Sequence, residues 1–175
     1  GYPEVADPAQ AELYRKYATE YCQDGARYRA GDAINFAVGQ GDSLATPLQM
    51  ATIYAAVANG GTLYEPHVAK AIVRPNGDVV RELAPKVNGT LPANARTIAY
   101  LQQALSGVPV NGTAHNVFSG FPLDQVPIAA KTGTAEVDGK QTTSWFASFA
   151  PANAPRYAVV FMVSQGGTGA GTSGP

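Results

Sequence analysis

The sequence is poor in charge, in cysteine and in long apolar runs, and each scarcity removes a class of function. Only 14% of the 175 residues are charged, and 12 basic against 13 acidic side chains leave a net charge of −1. A nucleic-acid partner is therefore not expected, because domains that bind polyanions carry Lys and Arg in clustered excess. Cys22 is the single cysteine, so it has no intrachain disulfide partner and reads as a packing residue. No apolar run approaches the ~20 residues that span a bilayer. The opening Gly1-Tyr2-Pro3-Glu4 lacks a signal-peptide pattern. As given, the chain reads as soluble, which leaves room for an anchor elsewhere in a longer parent.

Ligand and nucleophile motifs are scarce too. His67 and His115 stand far apart with no cysteine or acidic partner at ligand spacing, so neither a metal site nor a metal cofactor is expected. Gly39-x-Gly41 lacks the third glycine of a dinucleotide fingerprint. None of the serines at 43, 106, 119, 144, 148, 164 and 173 is followed by lysine three residues on, and none sits in a Gly-x-Ser-x-Gly elbow. A self-contained hydrolytic site is not visible.

Glycine and proline, by contrast, are plentiful at 19 and 13 residues, and 45% of the chain is hydrophobic. That balance suits one turn-rich α/β or α+β unit with a real core. Asp7-Pro8-Ala9-Gln10 supplies a cap and a proline at the first helical position, and predicts a helix over 8–23. Thr46-Pro47-Leu48-Gln49 repeats that chemistry as a capping box and predicts a helix over 47–59, whose small, apolar body marks it as buried between layers. Residues 67–74 and 79–83 flank Pro75-Asn76-Gly77-Asp78 and read as a hairpin. Asn88-Gly89-Thr90 and Asn111-Gly112-Thr113 match the glycosylation sequon but read as turns, with an amphipathic helix over 93–105 between them and a loop over 110–124. Strands are expected at 143–150 and 157–163, the last so apolar that both of its faces should be covered. The glycine-rich tail from Gly166 reads as mobile.

The stretch from Val126 to Val137 organises the rest. An apolar, β-forming run leads into Lys131-Thr132-Gly133-Thr134, and Asp138-Gly139 turns the chain toward the next strand, completing an antiparallel meander. Alternation on a strand places Lys131 and Gly133 on one face and Thr132 and Thr134 on the other. A glycine inside a strand marks a bulge or a close approach by a ligand or another backbone. Two readings follow from these residues alone: a strand edging a polar cleft, or an ordinary hairpin with a solvated lysine.

The run GQGDSLATPLQMATIYAAVANGG, then YEPHVAKAI, NGTA at 111–114, AAKTGTAEV and SWFASFAP, in that order, resembles the C-terminal part of a class B penicillin-binding protein over about 31–165. The resemblance implies a penicillin-binding/β-lactamase-like fold, with an antiparallel sheet flanked by helices. It also implies three active-site motifs, Ser-x-x-Lys, Ser-x-Asn and Lys-Thr-Gly, of which the sequence holds only Lys131-Thr132-Gly133. Residues 1–175 are thus expected to be a partial transpeptidase domain, without the two serine motifs and without the family's closing helix.

Roles follow from the same resemblance. Lys131 holds positive charge toward the terminal carboxylate of the substrate and assists proton movement, Thr132 donates its hydroxyl to that carboxylate, Gly133 lets the substrate lie along the strand, and Thr134 offers its backbone N–H to an oxyanion hole. The implied reaction is serine acyl transfer on peptidoglycan stem peptides ending in D-Ala-D-Ala, with β-lactams as acylating partners of the complete domain and with no cofactor. The implied location is the extracytoplasmic face of the bacterial plasma membrane. A different reading is a non-catalytic module of the same fold that binds cell-wall peptide or divisome partners; a third is a surface module in which Lys-Thr-Gly is coincidental. With the nucleophile-bearing part absent, apolar surface on the 47–59 helix and the central strands is expected to promote self-association.

Overall fold

A computed structural model describes residues 12, 13, 15–17, 19, 28–41, 43–137 and 139–175. The chain forms two compact units, Gly1–Ser43 and Leu44–Pro175, where composition argued for one. In the first unit, helix α1 (Ala30–Ala37) buries none of its side chains. Its start is fixed by the Arg29 N–H, which donates to Asp32 Oδ2 at 2.8 Å. Residues 12, 13, 15–17 and 19 are helical, within the predicted 8–23 span. The rest of that span, with Cys22, lies outside the described residues.

The second unit begins with the predicted capping box. Gln49 N–H donates to Thr46 Oγ1 at 3.2 Å, and Thr46 N–H donates to Gln49 Oε1 at 2.8 Å, so two amide donors left over at the helix start are satisfied. Helix α2 runs Pro47–Ala58 and ends at Asn59, with Gly60 and Gly61 at φ +89° and +115°. Of its residues only Ala56 and Val57 are buried, and Leu48 and Ile53 are exposed. Among the described residues the helix is covered on one face, not all round as its composition suggested.

Two short pairs follow. Strand β1 (Thr62–Tyr64) pairs antiparallel with β4 (Val87–Thr90), and β2 (Ala71–Val73) with β3 (Val79–Glu82) in the predicted hairpin. Asn88-Gly89-Thr90 is therefore strand, not turn. The pairing steps from Leu63↔Gly89 to Tyr64↔Val87, which leaves Asn88 as the extra residue of a bulge. Flanking backbone bonds, Leu91 N–H to Gly61 O and Glu65 N–H to Lys86 O, both 2.8 Å, override the local turn preference.

Helix α3 (Ala95–Asn111) is capped by the Asn94 side chain, which accepts from Thr97 N–H at 2.9 Å. It continues six residues beyond the predicted end, through Pro109. A proline forfeits one backbone bond, and here full burial of its ring offsets that loss.

Strands β5 (Ala129–Ala135), β6 (Thr143–Ala150) and β7 (Tyr157–Val163) form the expected antiparallel meander in unbroken register. Pro127 has no N–H to pair, which accounts for a start three residues later than the apolar run suggests. One sheet face packs Ala129 and Phe149 on Val57 of α2; the other packs Ala130 and Phe146 on Ala114. Strand β7 departs from expectation: Tyr157, Val159, Phe161 and Val163 are exposed, since α2 covers only the face carrying Ala158 and Val160, and Met162, at the far end of that covered face, is exposed as well.

The tail, expected to be mobile, folds back onto the sheet. Residues Gly169–Ser173 form a single π-helical turn in which Gly169 and Ser173 are buried. It is stapled to β6: Ser144 Oγ donates to Thr168 O at 2.9 Å and lies 2.6 Å from Ser173 Oγ, and Gly167 N–H donates to Thr142 O at 3.0 Å. Glycine is what allows so close an approach, and a sequence reader sees only a lack of side chains.

Candidate active site

The Lys-Thr-Gly segment occupies the middle of β5, which pairs with β6 on one side and, among the described residues, with nothing on the other. An open strand edge exposes backbone donors and acceptors, the feature an extended peptide needs in order to add alongside. Lys131 is opposite Ala147, Thr132 opposite Phe146, Gly133 opposite Trp145 and Thr134 opposite Ser144. Because side chains alternate, Thr132 and Thr134 share the face of Phe146 and Ser144, and Lys131 and Gly133 share the face of Trp145.

Lys131 is exposed, and its Nζ donates to the Thr132 carbonyl at 2.6 Å, which folds the cation back along its own strand. Thr132 is half-buried, with Oγ1 2.7 Å from Thr113 Oγ1. Gly133 faces Trp145 so closely that an added Cβ would lie 3.0 Å from Trp145 Cβ. Thr134 is exposed, and its Oγ1 accepts from Gly169 N–H at 3.3 Å. The segment is thus gripped from two directions, by the loop after α3 at Thr132 and by the C-terminal turn at Thr134.

Several of the remaining polar groups singled out in the sequence are engaged by other protein groups. His67 Nδ1 lies 2.8 Å from Ala69 O and His115 Nδ1 2.6 Å from Val110 O, both exposed. Among the described residues no group of His, Cys, Asp and Glu could hold a metal ion. Ser106 donates to Gln102 O at 2.8 Å, and Ser144 is wholly buried in the contacts that hold the tail. Two cavities, of about 300 and 200 Å³, lie away from Lys131–Thr134 and share Ala55 of α2 and Ala158 of β7 in their walls.

Sequence reasoning assigned no role at the site to Thr113, Ser144 or Gly169. Asn111-Gly112-Thr113 reads as a turn, and the tail reads as a linker. The available signal was weak: a hydroxyl next to a glycine beyond a helix end, and glycines at 166, 167, 169 and 171 directly after a strand.

Comparison with known proteins matches residues 20–175 to the family described as penicillin binding protein transpeptidase domain. Penicillin-binding protein PbpB of Mycolicibacterium smegmatis is 32% identical over 138 residues, covering 74% of this chain and 21% of that protein. Peptidoglycan D,D-transpeptidase MrdA of Escherichia coli K12 is 31% identical over 158 residues, covering 79% of this chain and 24% of that protein. The chain therefore spans about a quarter or less of these relatives. Among solved structures, the imipenem acyl-enzyme complex of penicillin-binding protein A from M. tuberculosis superposes with a TM-score of 0.67 at 29% identity, covering 78% of this chain and 30% of that one. Penicillin-binding protein PBP2 from Helicobacter pylori gives 0.66 at 29% identity, over 82% of this chain and 25% of that one. The mixed fold of helices and antiparallel strands matches these structures, as the sequence led us to expect.

Proposed function

Because the chain belongs to the penicillin-binding protein transpeptidase domain family, we propose that it supplies the second half of a peptidoglycan D,D-transpeptidase site, with the nucleophile on a segment outside residues 1–175. The observation that carries this reading is Lys131-Thr132-Gly133-Thr134 on an open strand edge within a matched family domain. The sequence itself has no Ser-x-x-Lys.

In that site Lys131 presents a fixed cation to the terminal carboxylate of a stem peptide ending in D-Ala-D-Ala. Charge counts for more there than in bulk water, because a closed cleft lowers the local dielectric. Thr132 adds a hydroxyl donor to the carboxylate, Gly133 leaves room for the peptide along β5, and the Thr134 N–H faces the oxygen that becomes an anion. A serine Oγ from the other half attacks the carbonyl carbon of the penultimate D-Ala. The C–N bond breaks, and the terminal D-Ala leaves with the proton on its amine. A second amine then displaces the serine from the acyl group. The same serine opens β-lactams, consistent with the acyl-enzyme form of the superposed M. tuberculosis protein. No step calls for a metal or organic cofactor.

The site works at the extracytoplasmic face of the plasma membrane, where its substrate is found. Among the described residues no helix is long and apolar enough to cross a membrane. Residues 1–175 constitute a partial domain on this reading, and alone they are inert toward penicillin.

Fluorescent penicillin tests both statements. The isolated chain should take up no covalent label, and an adduct on it would place the nucleophile within these residues. In the polypeptide that joins this chain to a Ser-x-x-Lys segment, labelling should occur and should fall at least about a hundredfold on Lys131→Ala. A longer polypeptide that takes no label at all would favour the non-catalytic reading, which the missing Ser-x-x-Lys keeps in view.

A further inference from the structure

Thr113 comes from the loop after α3, yet its hydroxyl meets that of Thr132 at 2.7 Å across a sequence separation of 19. We propose that Thr113 is a positioning residue for carboxylate recognition: its hydroxyl donates to Thr132 Oγ1, leaving the Thr132 hydrogen free for the carboxylate of the incoming peptide or β-lactam. The role rests on the reading of Lys131–Thr134 given above.

A count of hydrogens supports it. Two hydroxyls hold two hydrogens, and one is used between them. Whichever residue donates, one O–H remains for a third group. If Thr132 gave its hydrogen to Thr113, it would face a carboxylate with lone pairs only. If Thr113 donates, the relay runs Thr113 O–H to Thr132 O–H to carboxylate, and each bond polarises the next. An arriving anion selects this second arrangement, because only it leaves a hydroxyl donor at Thr132 on β5, the strand that also carries Lys131.

The loop holds Thr113 in place for this. Gly112 ends α3, with its N–H donating to Val108 O at 3.1 Å, and Ala114 N–H donates to the same carbonyl at 3.3 Å. A Cβ on Gly112 would lie 2.8 Å from Val108 Cα, so only glycine lets the chain fold back so tightly. On the other side Ala114 is wholly buried and packs with Ala130, two residues before Thr132, and with Phe146, its cross-strand partner. Thr113 is thus fixed by its neighbours while its own side chain stays exposed.

The test uses the isotopically labelled chain with Thr113→Val, which keeps the shape and removes the hydroxyl, and Thr113→Ser, which keeps the hydroxyl. Three-bond couplings should report one Thr132 χ1 rotamer in the unaltered chain and in Thr113→Ser, and rotamer averaging in Thr113→Val. Titration with N-acetyl-D-Ala-D-Ala should shift the amides of 131–134, and titration with its C-terminal amide should not. Thr113→Val should weaken the acid about fivefold, the scale of one hydrogen bond between neutral groups, and Thr113→Ser should stay within about twofold. A Thr132 rotamer unmoved by Thr113→Val, or equal affinity of the two chains for the acid, overturns the role of Thr113 and leaves the carboxylate reading standing. Failure of the unaltered chain to prefer the acid over the amide overturns the carboxylate reading and the role together.

Discussion

Gly169 lies directly against Gly133, so close that a Cβ on Gly169 would fall 2.5 Å from the Gly133 carbonyl oxygen and 2.7 Å from its nitrogen. The contact is backbone on backbone, and no side-chain rotamer can relieve a clash there. Gly169→Ala is expected to push the C-terminal turn off β5 at a cost of at least about 1–3 kcal/mol, and to break the bond from Gly169 N–H to Thr134 Oγ1. Thermal melting with exchange of the amide at position 169, the donor of that bond, checks it. An unchanged melt with that amide still protected would mean that the turn does not lie so tightly against the strand.

Ser144 holds the other end of that turn. It is wholly buried, donates to Thr168 O, and accepts from Ser173 N–H at 3.2 Å. Ser144→Ala leaves the Thr168 carbonyl and the buried Ser173 amide without their partner, a loss of about 1–3 kcal/mol. The double change with Ser173→Ala should cost less than the sum of the single ones, because the two hydroxyls are 2.6 Å apart and act as a unit. Strictly additive losses in denaturant melts would contradict the pairing.

Elements set by local chemistry were legible from the residues alone. The α2 start was readable because Thr46 and Gln49 satisfy each other without help from the rest of the chain, and the meander because β5, β6 and β7 are separated by short turn sequences. What escaped depends on a distant partner. Asn88-Gly89 looks like a turn until β1 arrives beside it, Pro109 looks like a stop until its burial is known, and the tail looks mobile until β6 offers Ser144. At the site, the alternation of Lys131 with Thr132 was legible from strand period. The grip on Thr132 and Thr134 by Thr113 and Gly169 was not, since it joins segments that pattern cannot link.

Three groups, Tyr54, Glu65 and Lys86, contribute pH dependence to the stability of the larger unit. Burial raises the pKa of the Tyr54 phenol above its usual value near 10. The folded chain therefore holds that proton more tightly than the unfolded one, and this contribution is intact below pH ~10 and lost as pH climbs through the raised value. Tyr54→Phe should flatten the alkaline limb of a melt series. Glu65 behaves in the opposite sense: its hydrogen bond from Lys86, then the Lys86 charge, lower its pKa. Its contribution is present above the unfolded carboxyl value and disappears as pH falls through the lowered one. The same bond raises the pKa of Lys86, so that share is present below the ordinary lysine value and fades as pH rises through the raised one. Both groups of the 2.7 Å pair are exposed, so 1 M salt should erase most of the Glu65 and Lys86 effects and leave that of Tyr54. A Tyr54 limb as salt-sensitive as the acid limb would refute burial as its cause.

Strand β7 carries the last expectation. Its seven residues, Tyr157–Val163, include no charge and no proline, its register with β6 has no bulge, and its far edge is unpaired among the described residues. Those are the features natural edge strands avoid, because a bare edge with apolar neighbours recruits another strand. Val159 and Phe161 are exposed on the face away from α2. The isolated chain should therefore self-associate as concentration rises, and Val159→Lys should suppress this while changing the melt little, since an exposed position has small packing to lose. Light scattering across a concentration series reads the outcome. A chain that stays monomeric at every concentration would show that the open edge of β7 is not a sticky surface, and equal association with Val159→Lys would move the contact to the apolar face of α2, with Leu48 and Ile53 outward.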